Sequence, residues 1–267
     1  MKWWTSIISQ EIKKILSYRS DFWVTFVGQT AIQLVIARAL WSSVFESQGV
    51  DSMQGFNLET MTLYYLIAPV GTRILLGESF GFISREIYDG TFTKYLLYPL
   101  SFVQYKTLTY LTNSLFYVLQ LFIIVMLYRM FFMKAAFEPT MFLNLMAGMA
   151  LFFIGAVVYL SLGMAVELIS LWADNVWSLM VMLRFFTAFL GGGFIPMSFY
   201  PEWARRIMYL TPFPYLVSTP IRTIMGDVSG AEVMKCILVM GVWWVIFRVS
   251  VHFIWRSGQK RYTGVGQ

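Results

Sequence analysis

The side chains able to do chemistry are few, and they are not spaced for catalysis. No Gly-Lys pair followed by Ser or Thr occurs anywhere, so the loop that cradles nucleotide phosphates in many ATPases is absent. No His-Glu-x-x-His pattern is present. His252 is the one histidine and Cys236 the one cysteine, which excludes an intrachain disulfide and leaves no zinc-like ligand set. The expectation is a chain without catalytic residues, metal or cofactor of its own.

What chemistry remains lies in isolated charges within oily sequence. Arg38, Arg73, Glu78, Arg184 and Arg248 fall inside apolar segments, while Glu167 and Asp174 flank a short loop. A charge at the bilayer centre costs about 2.5–3.5 kcal/mol on insertion scales, so such groups face protein, water or the interface. Pairing of Arg73 with Glu78 and snorkelling of Arg248 to headgroups are the plain structural readings.

The elements that must position these charges follow from composition. Of 267 residues 58% are hydrophobic and 13% charged, with mean hydropathy +0.65, far from the roughly 25% charge of soluble domains. Uncharged runs at Thr107–Tyr128 and Pro139–Val166 each reach the roughly 20 residues that a helix needs to cross hydrocarbon. We expect an all-α integral membrane protein, one domain over 1–267, with six spans near 21–45, 60–82, 107–130, 141–166, 176–196 and 233–255. Gly77 and Gly81 form a small-xxx-small pair on the second of these. Before the first span, Trp4, Ile8, Ile12, Ile15 and Leu16 share one helical face with lysines largely opposite, which predicts an amphipathic interface helix within 1–20. This beginning lacks the apolar core and cleavage site of a secretory signal and is expected to be retained. Tryptophans near the span ends, among them Trp23, Trp41, Trp177 and Trp255, suit an interfacial belt.

Net charge is +6, which in a soluble protein would raise nucleic-acid binding; here basic residues near span ends set orientation instead, and no nucleic-acid partner is expected. Lys2, Lys13, Lys14 and Arg19 precede the first span, Arg85, Lys94 and Lys106 lie between the second and third, and Arg256, Lys260 and Arg261 follow the sixth. Both termini are therefore placed in the cytoplasm, in a multi-pass cell-membrane protein. Lys134, Arg205, Arg206, Arg222 and Lys235 run against this count.

Two segments depart from plain spans. Residues 191–226 begin with Gly191, Gly192 and Gly193 and carry five of the eight prolines, including Pro196, Pro201, Pro212 and Pro214, so no straight helix runs through them. Broken apolar pieces of this kind suit a re-entrant helix pair. Residues 84–100 are short, mixed in charge and aromatic, with Gly90 and Pro99 as breakers. A cytoplasmic helix carrying Ile87, Tyr88, Phe92, Tyr95 and Leu96 would offer an amphipathic anchor for a partner groove, or else rest on the bilayer.

The order of an interface helix, six spans, an E…G-T…L-L-x-P-x segment and a Pro-rich region before the last span resembles the permease subunit of an ABC-2 type ABC exporter. The matching positions are Glu86, Gly90, Thr91, Leu96, Leu97, Pro99 and Leu100, then Gly193, Pro196, Pro201, Pro212 and Pro214. The resemblance implies that Arg85, Glu86, Ile87, Tyr88, Asp89, Gly90, Thr91, Phe92, Leu96 and Leu97 belong to a coupling helix that docks on separate ABC ATPase subunits, which would bind ATP and Mg. It also implies a second permease copy or a related permease, and a re-entrant pair forming an outer gate. Spans one, two and five would lie near the pathway, which makes Arg38 and Arg184 its candidate lining. Substrate stays open among lipids, lipid-linked glycans, drugs and peptides. The rival readings are an ATP-independent scaffold or channel and an enzyme acting on lipid.

Overall fold

The structure, a computed structural model, describes residues 3–77, 82–96, 101–133, 138–173, 176–258 and 260. Glu78, Gly81, Leu97, Pro99, Leu100, Lys134, Asp174 and Arg261 lie outside the described residues, as do the side chains of Phe92 and Leu96. Eleven α-helices run in order among the described residues: α1 (Trp3–Ser17), α2 (Arg19–Gln48), α3 (Leu58–Leu76), α4 (Phe82–Tyr88), α5 (Phe102–Tyr128), α6 (Pro139–Glu167), α7 (Trp177–Leu190), α8 (Glu202–Met208), α9 (Phe213–Leu216), α10 (Ser218–Met225) and α11 (Gly230–Gly258). No strand occurs among the described residues.

Among the described residues four helical stretches are long and apolar enough to cross a membrane: Arg19–Gln48, Phe102–Met133, Pro139–Leu171 and Gly230–Gly258. They correspond to the first, third, fourth and sixth expected spans. The second is α3, 19 residues long, interrupted in composition by Pro69 and Arg73. It stops at Leu76 rather than near 82 because Gly77 turns the backbone to φ +56°, against the ring of Tyr110. Gly77 thus ends the helix and lets the Tyr110 ring of α5 approach closely, while Gly81 lies outside the described residues. The fifth, α7, has 14 residues, a rise of about 21 Å against a hydrocarbon core of about 30 Å.

Helix α6 is the centre of the bundle. Within the apolar window of its span 61% of residues are buried, against 11% for α2 and 17% for α11, so the outer two present most of their surface to whatever surrounds the protein. Helices α3, α5, α10 and α11 all pack on α6. Starts are fixed by side-chain caps: Asn57 and Thr60 close a reciprocal capping box on α3, and Ser101 and Gln104 do so on α5.

The helix expected within 1–20 forms. Helix α1 lies along α5 and buries Ile7; on its expected apolar face Ile8, Ile12 and Ile15 are half-buried, and Trp4 and Leu16 are exposed. Trp41 also departs from the belt reading: it is buried among Phe45, Tyr65 and Phe199, with ring centroids 5.7–6.1 Å apart. Cys236 is buried as expected, whereas His252 stands exposed beside Phe253.

The proline-rich stretch is a chain of short pieces. After α7 the backbone turns at Gly192, φ +84°, a conformation that only glycine adopts freely. The Gly192 carbonyl accepts a hydrogen bond from Tyr64 Oη at 2.6 Å, and the Phe194 carbonyl one from Tyr65 Oη at 2.7 Å. Two neighbouring tyrosines of α3 therefore pin the turn. Beyond it, α9 and α10 press Leu216, Val217, Ile221 and Ile224 into the core, while α8 holds Trp203 and Ile207 outward.

Candidate functional site

The segment between α3 and α5 is a bent bracket. Helix α4 ends at Tyr88, Gly90 takes φ +69°, and a 3-10 helix follows over Thr91–Leu96. Its two arms are tied by one carboxylate. Glu86 Oε1 accepts from Lys94 Nζ at 3.0 Å and from Tyr95 Oη at 2.8 Å, while Oε2 pairs with Lys106 Nζ of α5 at 3.0 Å.

Electrostatics bind this hub. Burial works to raise the Glu86 carboxyl, but the positive charge of Lys106 and the hydrogen bonds from Lys94, Tyr95 and Lys106 outweigh it, so the group sits below its ordinary value. Lys106 is itself 8% exposed and lies 5.2 Å from the centre of the Tyr95 ring. An ammonium this buried requires its counter-charge, and Glu86 supplies it.

The bracket is also fastened from behind. The Ile83 N–H, in the first turn of α4, donates to Glu167 Oε2 at 2.8 Å, and Glu167 is 2% exposed at the end of α6. A carboxylate suits the positive end of a helix. The 3-10 helix Leu168–Leu171 packs against both α4 and α11, and Tyr95 meets Phe102, which stacks on Trp255 of α11 at 5.8 Å. Helix α4 is thus tied, directly or through these groups, to α5, α6 and α11.

This geometry redraws the expected partner anchor. Ile87 and Tyr95 are 4% and 5% exposed and face the protein's own core, so they are not free to fill a partner groove. The outward surface carries Arg85 and Asp89, ion-paired at 3.6 Å, with Tyr88 and Thr91. Glu86, singled out by its motif, acts inward. Glu167 was visible in the sequence only as a charge beside a loop, since nothing local announces a bond to a residue 84 positions away.

The intramembrane charges separate. Arg38 lies 5.4 Å from the Phe132 ring, at the end of the α5 stretch, and Arg184 is exposed on α7. Neither is among the residues lining the cavity between α2 and α3. That cavity, of about 270 Å³, is instead lined by Gln29, Thr30, Gln33, Pro69 and Arg73. The spacing of Gln29 and Gln33, four apart on one helical face, is the sequence signal that could have found it. Arg248 borders a second cavity of about 320 Å³, with Trp4, Gln104 and Trp244.

Among the described residues no group of three or more His, Cys, Asp or Glu side chains could hold a metal ion. Comparison with known proteins gives a family model described as ABC-2 family transporter protein, matching residues 31–266. No curated protein and no solved structure matches. The family match begins inside α2 and takes in the bracket, the proline-rich stretch and the last helix. Members of this family are transmembrane subunits, not themselves catalytic, that normally work with an ABC ATPase partner. With its long apolar helices and this match over most of its length, the chain is a multi-pass membrane permease belonging to the ABC-2 transporter family.

Proposed function

We propose that the chain is the permease subunit of an ATP-driven exporter and that the bracket Phe82–Leu96 is its coupling element, docked on a separate ATPase that binds ATP and Mg. One observation carries the reading: a short helix, braced by the Glu86 hub on one side and by Glu167 on the other, is joined to three membrane helices yet keeps Arg85, Tyr88 and Asp89 outside. A loop helix merely resting on lipid has no need of such bracing. Force applied to the exposed side passes through Lys106 to α5 and through Glu167 to α6.

In this reading six segments cross the bilayer, with α3 and α7 as the second and fifth, and both termini are cytoplasmic. Helix α7, too short alone, hands over to a re-entrant region of α8 to α10 that closes the outer end, with Gly191, Gly192, Gly193, Pro196, Pro201, Pro212 and Pro214 setting its bends. The largely uncovered α2 and α7 receive a second permease copy or a related permease. The cavity beside Gln29, Gln33 and Arg73 belongs to the pathway, in place of Arg38 and Arg184. Its apolar wall with a few polar groups suits an amphipathic substrate.

The test is a reconstituted complex with the partner ATPase. Replacing Glu86 by Ala, or Gly90 by Ala, is expected to abolish substrate-stimulated ATP hydrolysis while the chain remains inserted. Unchanged stimulation rejects the assignment.

A further inference from the structure

Two of the three arginines that run against the positive-inside count, Arg205 and Arg222, converge on one cavity. At the end of the bundle opposite α4, a cavity of about 340 Å³ lies between the turn before α3, the proline-rich stretch and the turn before α11. Arg205 and Arg222 line it, with Ser198, Ser218, Tyr209 and Gln54. Neither arginine forms an ion pair among the described residues, although Arg206, next in sequence, pairs with Glu202 on the exposed side of α8. Arg222 spends one N–H on the main-chain carbonyl of Asp227, at 3.2 Å. Asp227 also borders the cavity, and its carboxylate lies beyond ion-pair distance of both guanidiniums. Within the protein Arg205 Nε and Ser198 Oγ are buried and without a hydrogen-bond partner.

Two guanidiniums and a ring of hydroxyls, with donors left unanswered, make a receptor for an oxyanion. The cavity opens where two helices begin, which is headgroup depth for a bilayer spanned by α11. Phosphate is the oxyanion abundant there, and its tetrahedral oxygens accept from donors arriving from several sides, as these do. We infer that this cavity binds a phosphate group, through Arg205 and Arg222, with Ser198 as a supporting donor. Both surfaces of a bilayer carry phosphate, so the site does not depend on the sidedness or coupling proposed above.

Two sources could bring that phosphate: a lipid headgroup or the free ion. The full chain, purified in a non-ionic detergent, is titrated calorimetrically with inorganic phosphate and, separately, with dihexanoyl phosphatidic acid. At least one probe is expected to bind, with Arg205→Gln and Arg222→Gln each weakening it about tenfold, the scale of one charge-assisted hydrogen bond. Arg206→Gln is expected to leave affinity unchanged. Tighter binding of the lipid assigns the headgroup and equal binding assigns the free ion; both uphold the site. Should an arginine variant fail to fold, Ser198→Ala decides, with an expected loss of about threefold. Binding of neither probe, or equal losses from Arg206→Gln and Arg205→Gln, overturns it.

Discussion

Glu86 shows how a residue's type can be legible while its role is not. Its place in an E…G-T pattern marked the position, but the pattern says nothing of Lys94, Tyr95 and Lys106, which only the fold brings to it. Glu86→Ala would strand the Lys106 ammonium, and we expect a loss of about 2–3 kcal/mol, under the range for a fully buried pair because Glu86 keeps some contact with solvent. Urea unfolding in detergent checks this, and replacing Lys106 by Met in the same chain should recover part of the loss. The pH dependence has a fixed sign. Because the carboxyl is held below its ordinary 4.5, its stabilisation is complete above that pH and lost as pH falls through the lowered folded value. The advantage of the natural chain over Glu86→Gln should therefore shrink only below about pH 4.5, as followed by thermal unfolding.

Among the elements, the helices with long uncharged runs were readable because lipid tolerates little else. Helix α3 lies where the second span is expected but stops at Leu76, since an apolar run gives no sign of the positive φ at Gly77. The pieces after α7 were foreseen as broken from Gly191–Gly193 and the prolines, whereas their fastening to Tyr64 and Tyr65 depends on contacts some 130 residues away in sequence. That fastening makes a prediction. Tyr64→Phe leaves the Gly192 carbonyl buried and unpaired, and should cost about 1–3 kcal/mol. Gly192→Ala should cost about 1–2 kcal/mol, because an L-residue is strained at φ +84°. Thermal unfolding of each variant, with Tyr200→Phe as a more exposed tyrosine for comparison, tests both. For α2, Gln33→Cys beside the cavity should react with a small water-soluble thiol reagent, while Ile36→Cys on the outward surface should resist it.

At the scale of the whole molecule, a bundle centred on α6 is joined at one end to a braced bracket and carries at the other a polar cavity among proline-broken helices. The absent nucleotide loop, read from sequence alone, fits a machine whose energy enters from a partner. The surface left for the proposed partner is not legible in the sequence, because Ile87 and Tyr95 look like anchors until the fold turns them inward. The most direct measurement uses a single cysteine in place of Tyr88, with Cys236 replaced by Ser, in inside-out vesicles containing the assembled complex. We predict that it cross-links to the ATPase, that the yield changes when ATP binds, and that Ile87→Cys does not cross-link. Labelling of the position 88 cysteine from the extracytoplasmic side, or no cross-link in a complex that still hydrolyses ATP in response to substrate, would contradict the account.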